Sequence, residues 1–195
     1  MPSVLRPFAF AVLLLSLSAC ASSGGAGRPK EYLDESTAVT VITVDTPLVF
    51  ARERRELAAN ARDYVTLAAT AVNRAGKMDY LIVAYRWSTV DTRLETDHSG
   101  STDVLVLSAD DRRIELRSAS GSARDFGIDK PVHPPPGPRH PPVVYRTDLA
   151  SLRFIAASRQ LSLQTGAGEL APRFDIWEDG RAALDGFVSS QGEVR

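Results

Sequence analysis

One cysteine, three histidines, two tryptophans and two methionines are all that the 195 residues contain of these types. A lone cysteine excludes a disulfide within the chain, so packing and backbone hydrogen bonds must hold the fold. There is no cysteine cluster and no His-Glu-x-x-His, which removes the common zinc sites. Gly-x-Ser-x-Gly is missing, and with it the elbow that exposes a hydrolase serine. Gly121, Gly127, Gly166 and Gly168 have the wrong spacing for a phosphate-cradling or dinucleotide-binding loop, so no cofactor is expected. An excess of one charge is missing too. The 23 basic residues face 24 acidic ones, which gives no electrostatic footprint for nucleic acid. Long hydrophobic runs are also absent: residues 8–15 are uninterruptedly apolar, whereas a membrane-spanning helix needs about 20 such residues.

That short run is the first feature that is present. Arg6 precedes it, and Ser16, Leu17, Ser18 and Ala19 follow, small or apolar, up to Cys20. A positive start, a short apolar core and small residues at the end make a secretory signal peptide. Leu17-Ser18-Ala19-Cys20 resembles the bacterial lipobox. The resemblance implies cleavage before Cys20, a diacylglycerol on its sulfur and an acyl chain, palmitate-like, on the new amino group. Residues 1–19 are then the signal peptide. Several acyl chains hold a protein on a membrane without any transmembrane helix, each buried methylene contributing about 0.8 kcal/mol. In lipoproteins of this type an aspartate after the cysteine favours the inner membrane. Ala21 stands there instead, which implies the periplasmic face of the outer membrane. Removal of the signal segment takes away only Arg6 among the charges, leaving a formal charge of −2. Residues 20–30, rich in Gly and Ser, read as the lipidated end and a flexible tether, and 31–195 as a single domain.

Within that domain, 38–44 is dense in β-branched residues and reads as a strand. Residues 48–50, following Pro47, read as an edge strand, since proline is tolerated at edges. Residues 52–60 are crowded with charge and read as a solvated surface segment. Residues 64–73 and 79–90 flank Arg74-Ala75-Gly76-Lys77 and form a long hairpin at the centre of an antiparallel sheet. Period two places Leu81, Val83, Tyr85 and Trp87 on one face of the second strand, expected to meet the core. Tyr80, Ile82, Ala84, Arg86 and Ser88 fall on the other, expected to meet water in part. Residues 91–102 read as a loop. A second hairpin joins 104–107 to 114–116 around a turn at Asp110-Asp111. Residues 131–142 hold seven prolines and read as an exposed polyproline loop. Strands are expected at 143–146, around Leu161 and Leu163, and at Phe174, Ile176 and Trp177, with Gly166-Ala167-Gly168 turning the chain. Asp148 is placed to cap a helix presenting Leu149, Leu152, Ile155 and Ala156, and Asp179 a final helix through Leu184, Phe187 and Val188. The expected class is α+β, a mainly antiparallel sheet with two C-terminal helices packed on it; an all-β sandwich is the alternative.

Chemistry-bearing residues are few. His133 and His140, seven apart, with Asp129, are weak candidates for a metal; solvated loop histidines are the simpler reading. Asp97, His98 and Ser99 name the members of a hydrolytic triad, but neighbours on an extended segment point apart. Asp110-Asp111 is a turn filler before it is a carboxylate pair. Tyr80, Tyr85 and Trp87 are candidates for a ligand or partner surface, against the simpler reading of a core stripe. The proline-rich loop suits a partner's aromatic groove. The expectation is a non-catalytic envelope lipoprotein that binds another envelope protein or a small ligand. An unrecognised hydrolase of envelope material using carboxylates and His98 is the alternative, and a metal-binding lipoprotein the lesser one.

Overall fold

The computed structural model describes residues 27–90, 103–136 and 140–192. Cys20 and Ala21 lie outside the described residues, as do Asp97, His98 and Ser99. Ten strands and two helices follow in order: β1 (Lys30–Asp34), β2 (Val39–Thr43), β3 (Leu48–Glu53), β4 (Arg62–Arg74), β5 (Lys77–Ser88), β6 (Val104–Ala109), β7 (Arg112–Arg117), β8 (Val143–Arg146), α1 (Leu149–Ala157), β9 (Leu161–Thr165), β10 (Arg173–Glu178) and α2 (Arg181–Gly192). Every strand pairing is antiparallel. The α+β class with a mainly antiparallel sheet and two C-terminal helices is therefore the observed one.

The hairpin β4–β5 is the spine, paired from Asp63↔Ser88 to Arg74↔Lys77. Its turn places Ala75 at φ 51° and Gly76 at φ 87°, the two positive values that match the twist of a tight hairpin. From this spine the sheet runs β3, β10, β9, β6, β7 in one direction and β8 in the other. It curls until β7 and β8 nearly meet. A single bridge, Ser118↔Tyr145, and the hydrogen bond from Ala119 N to Val144 O (2.8 Å) hold that seam. Eight strands in such a ring leave an interior that side chains can fill, with room for at most one small ligand. β4 is long enough to serve two partners on one edge. Residues 62–67 pair with β3 and 70–73 with β2, which carries β1 outside it.

The two helices close one end. Leu152 and Ile155 of α1 and Leu184, Phe187 and Val188 of α2 pack among inward residues such as Leu48, Leu67, Ile82 and Leu107. Asp148 caps α1 as expected, accepting from Ser151 N at 2.7 Å. Asp179 Oδ1 accepts from Arg181 N at 3.1 Å, and Gly180 O accepts the first helical bond from Leu184 N at 2.9 Å. Gly180 has no substitute here, because a Cβ would lie 2.5 Å from Pro47 O and 2.6 Å from Thr46 O. The void left at this end is only about 10 Å³, the least that holds one water.

Several expectations are corrected. Residues 48–50 belong to an interior strand, because β3 is paired on both sides, with β4 and β10. The charged segment 52–60 is not simply solvated. Arg52 and Glu53 continue β3, and Arg54 is buried against Asp63. β1 begins at Lys30, within the expected tether, and is a strand that the residue pattern did not show. Both faces of β5 are covered from Leu81 to Arg86. Its Ile82–Ala84 face meets the barrel core. Its Leu81–Val83–Tyr85 face packs under Ile128, Phe126 and Val132. The proline segment forms part of that cover. Pro135 is buried, Val132 N donates to the Tyr85 hydroxyl at 3.0 Å, and His133 Nε2 lies 2.7 Å from Val44 O.

Candidate binding cavity

The end of the barrel away from the helices is not filled. Here β3 and β5 end and β4, β6, β8 and β10 begin. A cavity of about 300 Å³ opens among Val65, Ala84, Arg86, Leu105, Val143 and Tyr145, with His140, Pro141 and Pro142 at its edge. Strand register explains the set. Val65 sits opposite Arg86 and Ala84 opposite Val143, so their side chains share the inner face.

Arg86 and Tyr145 supply the polarity, and both are buried. Burial pushes the Tyr145 phenol up. The Arg86 charge pulls it back in part, and the Asp103 carboxylate pushes it further up. Tyr145 is thus a neutral hydroxyl at physiological pH. His140 N donates to Arg86 O at 3.1 Å, which ties the end of the proline segment to the cavity wall.

One step further out, Asp63 accepts from Arg52 Nη2 at 2.9 Å and from Arg54 Nη1 at 2.8 Å. Burial acts to raise the Asp63 carboxyl, but the hydrogen bonds from Arg54 and Arg52 outweigh it and hold it below the usual range. Glu56 is the second carboxylate on Arg54. The Arg52 guanidinium lies 5.4 Å over the Phe174 ring, and its Nε has no hydrogen-bond partner among the described residues.

The expected surface of Tyr80, Tyr85 and Trp87 is not one surface. Tyr80 packs against the main core. Tyr85 belongs to the cluster on the opposite face of the sheet, and its hydroxyl is taken by Val132 N. Trp87 stacks on Tyr64, with centroids 4.0 Å apart and planes at 7°, and its Nε1 donates to Thr66 Oγ1 at 3.1 Å. Trp177 meets Tyr64 edge-on at 5.9 Å and carries Arg62 over its ring at 4.8 Å. The aromatic group on the outer wall is therefore Tyr64, Trp87 and Trp177.

His133 is turned onto Val44 O and His140 stands at the cavity. Among the described residues, no three or more His, Cys, Asp or Glu side chains gather to hold a metal. Asp110 spans fifty residues of sequence, accepting from Arg159 N at 2.9 Å and Gln160 N at 2.8 Å. Among the described residues no helix is long and apolar enough to cross a membrane.

Of the residues that line the cavity, the sequence singles out only His140, as a metal candidate, and Pro141 and Pro142 as part of the proline-rich loop; Val65, Ala84, Arg86, Leu105, Val143 and Tyr145 are not marked as a site. One signal was available: Arg86 is a cation at the end of an otherwise apolar row, Ile82, Ala84, Arg86. No family model matches the chain, and no curated protein and no solved structure matches it.

Proposed function

We propose that the chain is a lipid-anchored envelope protein, attached through Cys20 to the periplasmic face of the outer membrane, that binds a small ligand in the barrel cavity and catalyses no reaction. The observation that carries the ligand is the contrast between the two barrel ends. The helix end is packed down to about 10 Å³, while the open end keeps about 300 Å³ around a buried guanidinium and a buried hydroxyl. Mouths of β-barrels are common ligand sites. The signal-like residues 1–19 and the lipobox-like Leu17-Ser18-Ala19-Cys20 support the anchor.

The two halves of this reading fit each other. Gly27 and Lys30 both lie against Asp45, just ahead of Pro47, which touches Gly180 beside α2. The chain thus enters the domain beside the helix end. An anchor at Cys20, a few residues ahead of Gly27, supports a reading in which the helix end faces the bilayer and the cavity faces away from it.

Two measurements test the proposal. Cells fed a clickable palmitate analogue label the wild type, while Cys20→Ser loses the label and leaves the membrane fraction. Native mass spectrometry of the full chain in nanodiscs detects a bound small molecule that is lost in Val143→Trp, which fills the cavity. An unlabelled wild type sinks the anchor. A spectrum free of any adduct, unchanged by Val143→Trp, sinks the ligand site.

A further inference from the structure

The ring of strands meets at β8, but β7 keeps one edge open. Ser118 N donates to Asp103 O on the β6 side at 2.8 Å, and Ala119 N to Val144 O on the β8 side at 2.8 Å. The backbone groups of an antiparallel strand alternate between its two edges in this way. Those of Arg112, Ile114 and Leu116 therefore face β6, while Arg113, Glu115 and Arg117 turn their N–H and C=O groups to the other edge. Beyond the Ser118↔Tyr145 bridge, nothing among the described residues pairs with that edge. There is room beside it: an open groove of about 680 Å³ is bordered by Glu115, Arg117 and Arg146. An unpaired edge is a template for a further strand.

The side chains select that strand. At alternate exposed positions stand Asp111, Arg113, Glu115 and Arg117: acid, base, acid, base. A second copy of this row, antiparallel about a two-fold axis at Ile114, brings Arg113 opposite Glu115 and Asp111 opposite Arg117. Each facing pair then has opposite charges, which favours cross-strand pairing. The backbone requires the same register. Arg113 and Glu115 both offer outward groups and can exchange hydrogen bonds, while Ile114 meets its own copy as a non-hydrogen-bonded pair. A pairing centred on Glu115 would instead set Glu115 against itself and Arg113 against Arg117. Arg113 has no ion pair among the described residues. Glu115 and Arg117 pair with each other on the surface, with side chains 44% and 78% exposed, and such a contact loses little on exchange.

We propose that β7 is the contact edge of a two-fold dimer, in which Arg113 of each copy faces Glu115 of the other. This contact is separate from the cavity and does not need it.

Sedimentation of the full chain in detergent micelles, with micelles in excess over protein, tests the pairing. Low ionic strength is used, because exposed charge pairs act most strongly there. One short strand pair makes a weak contact, so the wild type is expected to dimerise below about 1 mM. Arg113→Glu and Glu115→Arg each set like charges opposite and are expected to weaken the dimer at least about tenfold. Both positions are exposed, so thermal melting of the two variants is expected to match the wild type. Mixed together, the variants complement each other, and a heterodimer is expected to form at the wild-type strength. A wild type still monomeric at about 1 mM overturns the proposal. A dimer that tolerates both single changes places the contact elsewhere and overturns it. A mixture that stays monomeric overturns it as well.

Discussion

Asp63 is the side chain whose removal should cost the barrel most per atom deleted. It accepts from Arg54 at 2.8 Å and from Arg52 at 2.9 Å, with side-chain exposures of 7% for Asp63, 6% for Arg54 and 22% for Arg52. Asp63→Ala takes from the buried Arg54 the carboxylate that lies 2.8 Å from its Nη1. Removal of one member of a buried ion pair costs about 3–5 kcal/mol. Arg52 is one-fifth exposed and can regain water, and Arg54 keeps Glu56. The expected loss therefore lies at the lower end, about 3 kcal/mol. Urea unfolding of the full chain in micelles reads it as a shift of midpoint at constant slope. The double change Asp63→Leu with Arg54→Met should lose less than Asp63→Ala alone, because the more deeply buried charge, Arg54, is then removed together with the carboxylate. The pH dependence has a definite sign. The folded Asp63 carboxyl is held low, so its contribution is complete above the unfolded value of about 3.9 and fades as the pH falls below it. Asp63→Ala should flatten that part of the acid limb. A loss under about 1 kcal/mol would mean that the pair behaves as a solvated surface pair and would refute the reasoning.

Other outcomes follow from single positions. Ala75 sits at φ 51° in the β4–β5 turn, so Ala75→Asn should stabilise by about 0.5–1 kcal/mol, read from thermal melting. Gly180→Ala forces a Cβ against the Pro47 and Thr46 carbonyls and should destabilise by at least about 2 kcal/mol in urea unfolding; a smaller cost would mean that the β2–β3 corner yields freely. Asp34 accepts from the Ser36 hydroxyl, Asp129 N, Ser36 N and Thr37 N, with the Ser36 hydroxyl bond first among the causes that lower its carboxyl to about 2. Its contribution is present above the unfolded value of about 3.9 and lost as the pH falls towards 2. The protection of the Asp129 amide against exchange, taken relative to its intrinsic rate at each pH, should therefore fall on acidification, and already at neutral pH in Asp34→Asn.

The local pattern carried most of the elements. β-branching located β2, the turn at Gly76 with the alternation after it located β4 and β5, and Asp148 marked the start of α1. These are short-range effects: which face a side chain takes and which end of a helix needs an acceptor. β1 escaped because its five residues, KEYLD, are strongly charged and pair only with β2. The edge assignment of β3 failed for a related reason. Pro47 limits only the start of a strand, and a donor missing there does not stop Leu48–Glu53 from pairing on both sides.

Parity tells which side chains share a face, but not what will cover the face. Tyr85 and Arg86 show the difference. Alternation put Tyr85 on the core side and Arg86 towards water. The chain instead folded residues 119–136 over the first face and closed the sheet over the second, so both are buried. That closure depends on β7 meeting β8 through Ser118 and Tyr145, with 26 residues between them and nothing in either segment to announce the contact. The cavity is a product of the same closure. Arg86, Tyr145, Leu105 and Val65 lie on four strands, and each alone is an ordinary strand residue. Only the ring brings them to one place. A cation ending an apolar row is thus the one trace that such a site leaves in sequence, and it gains meaning once the partner wall is known.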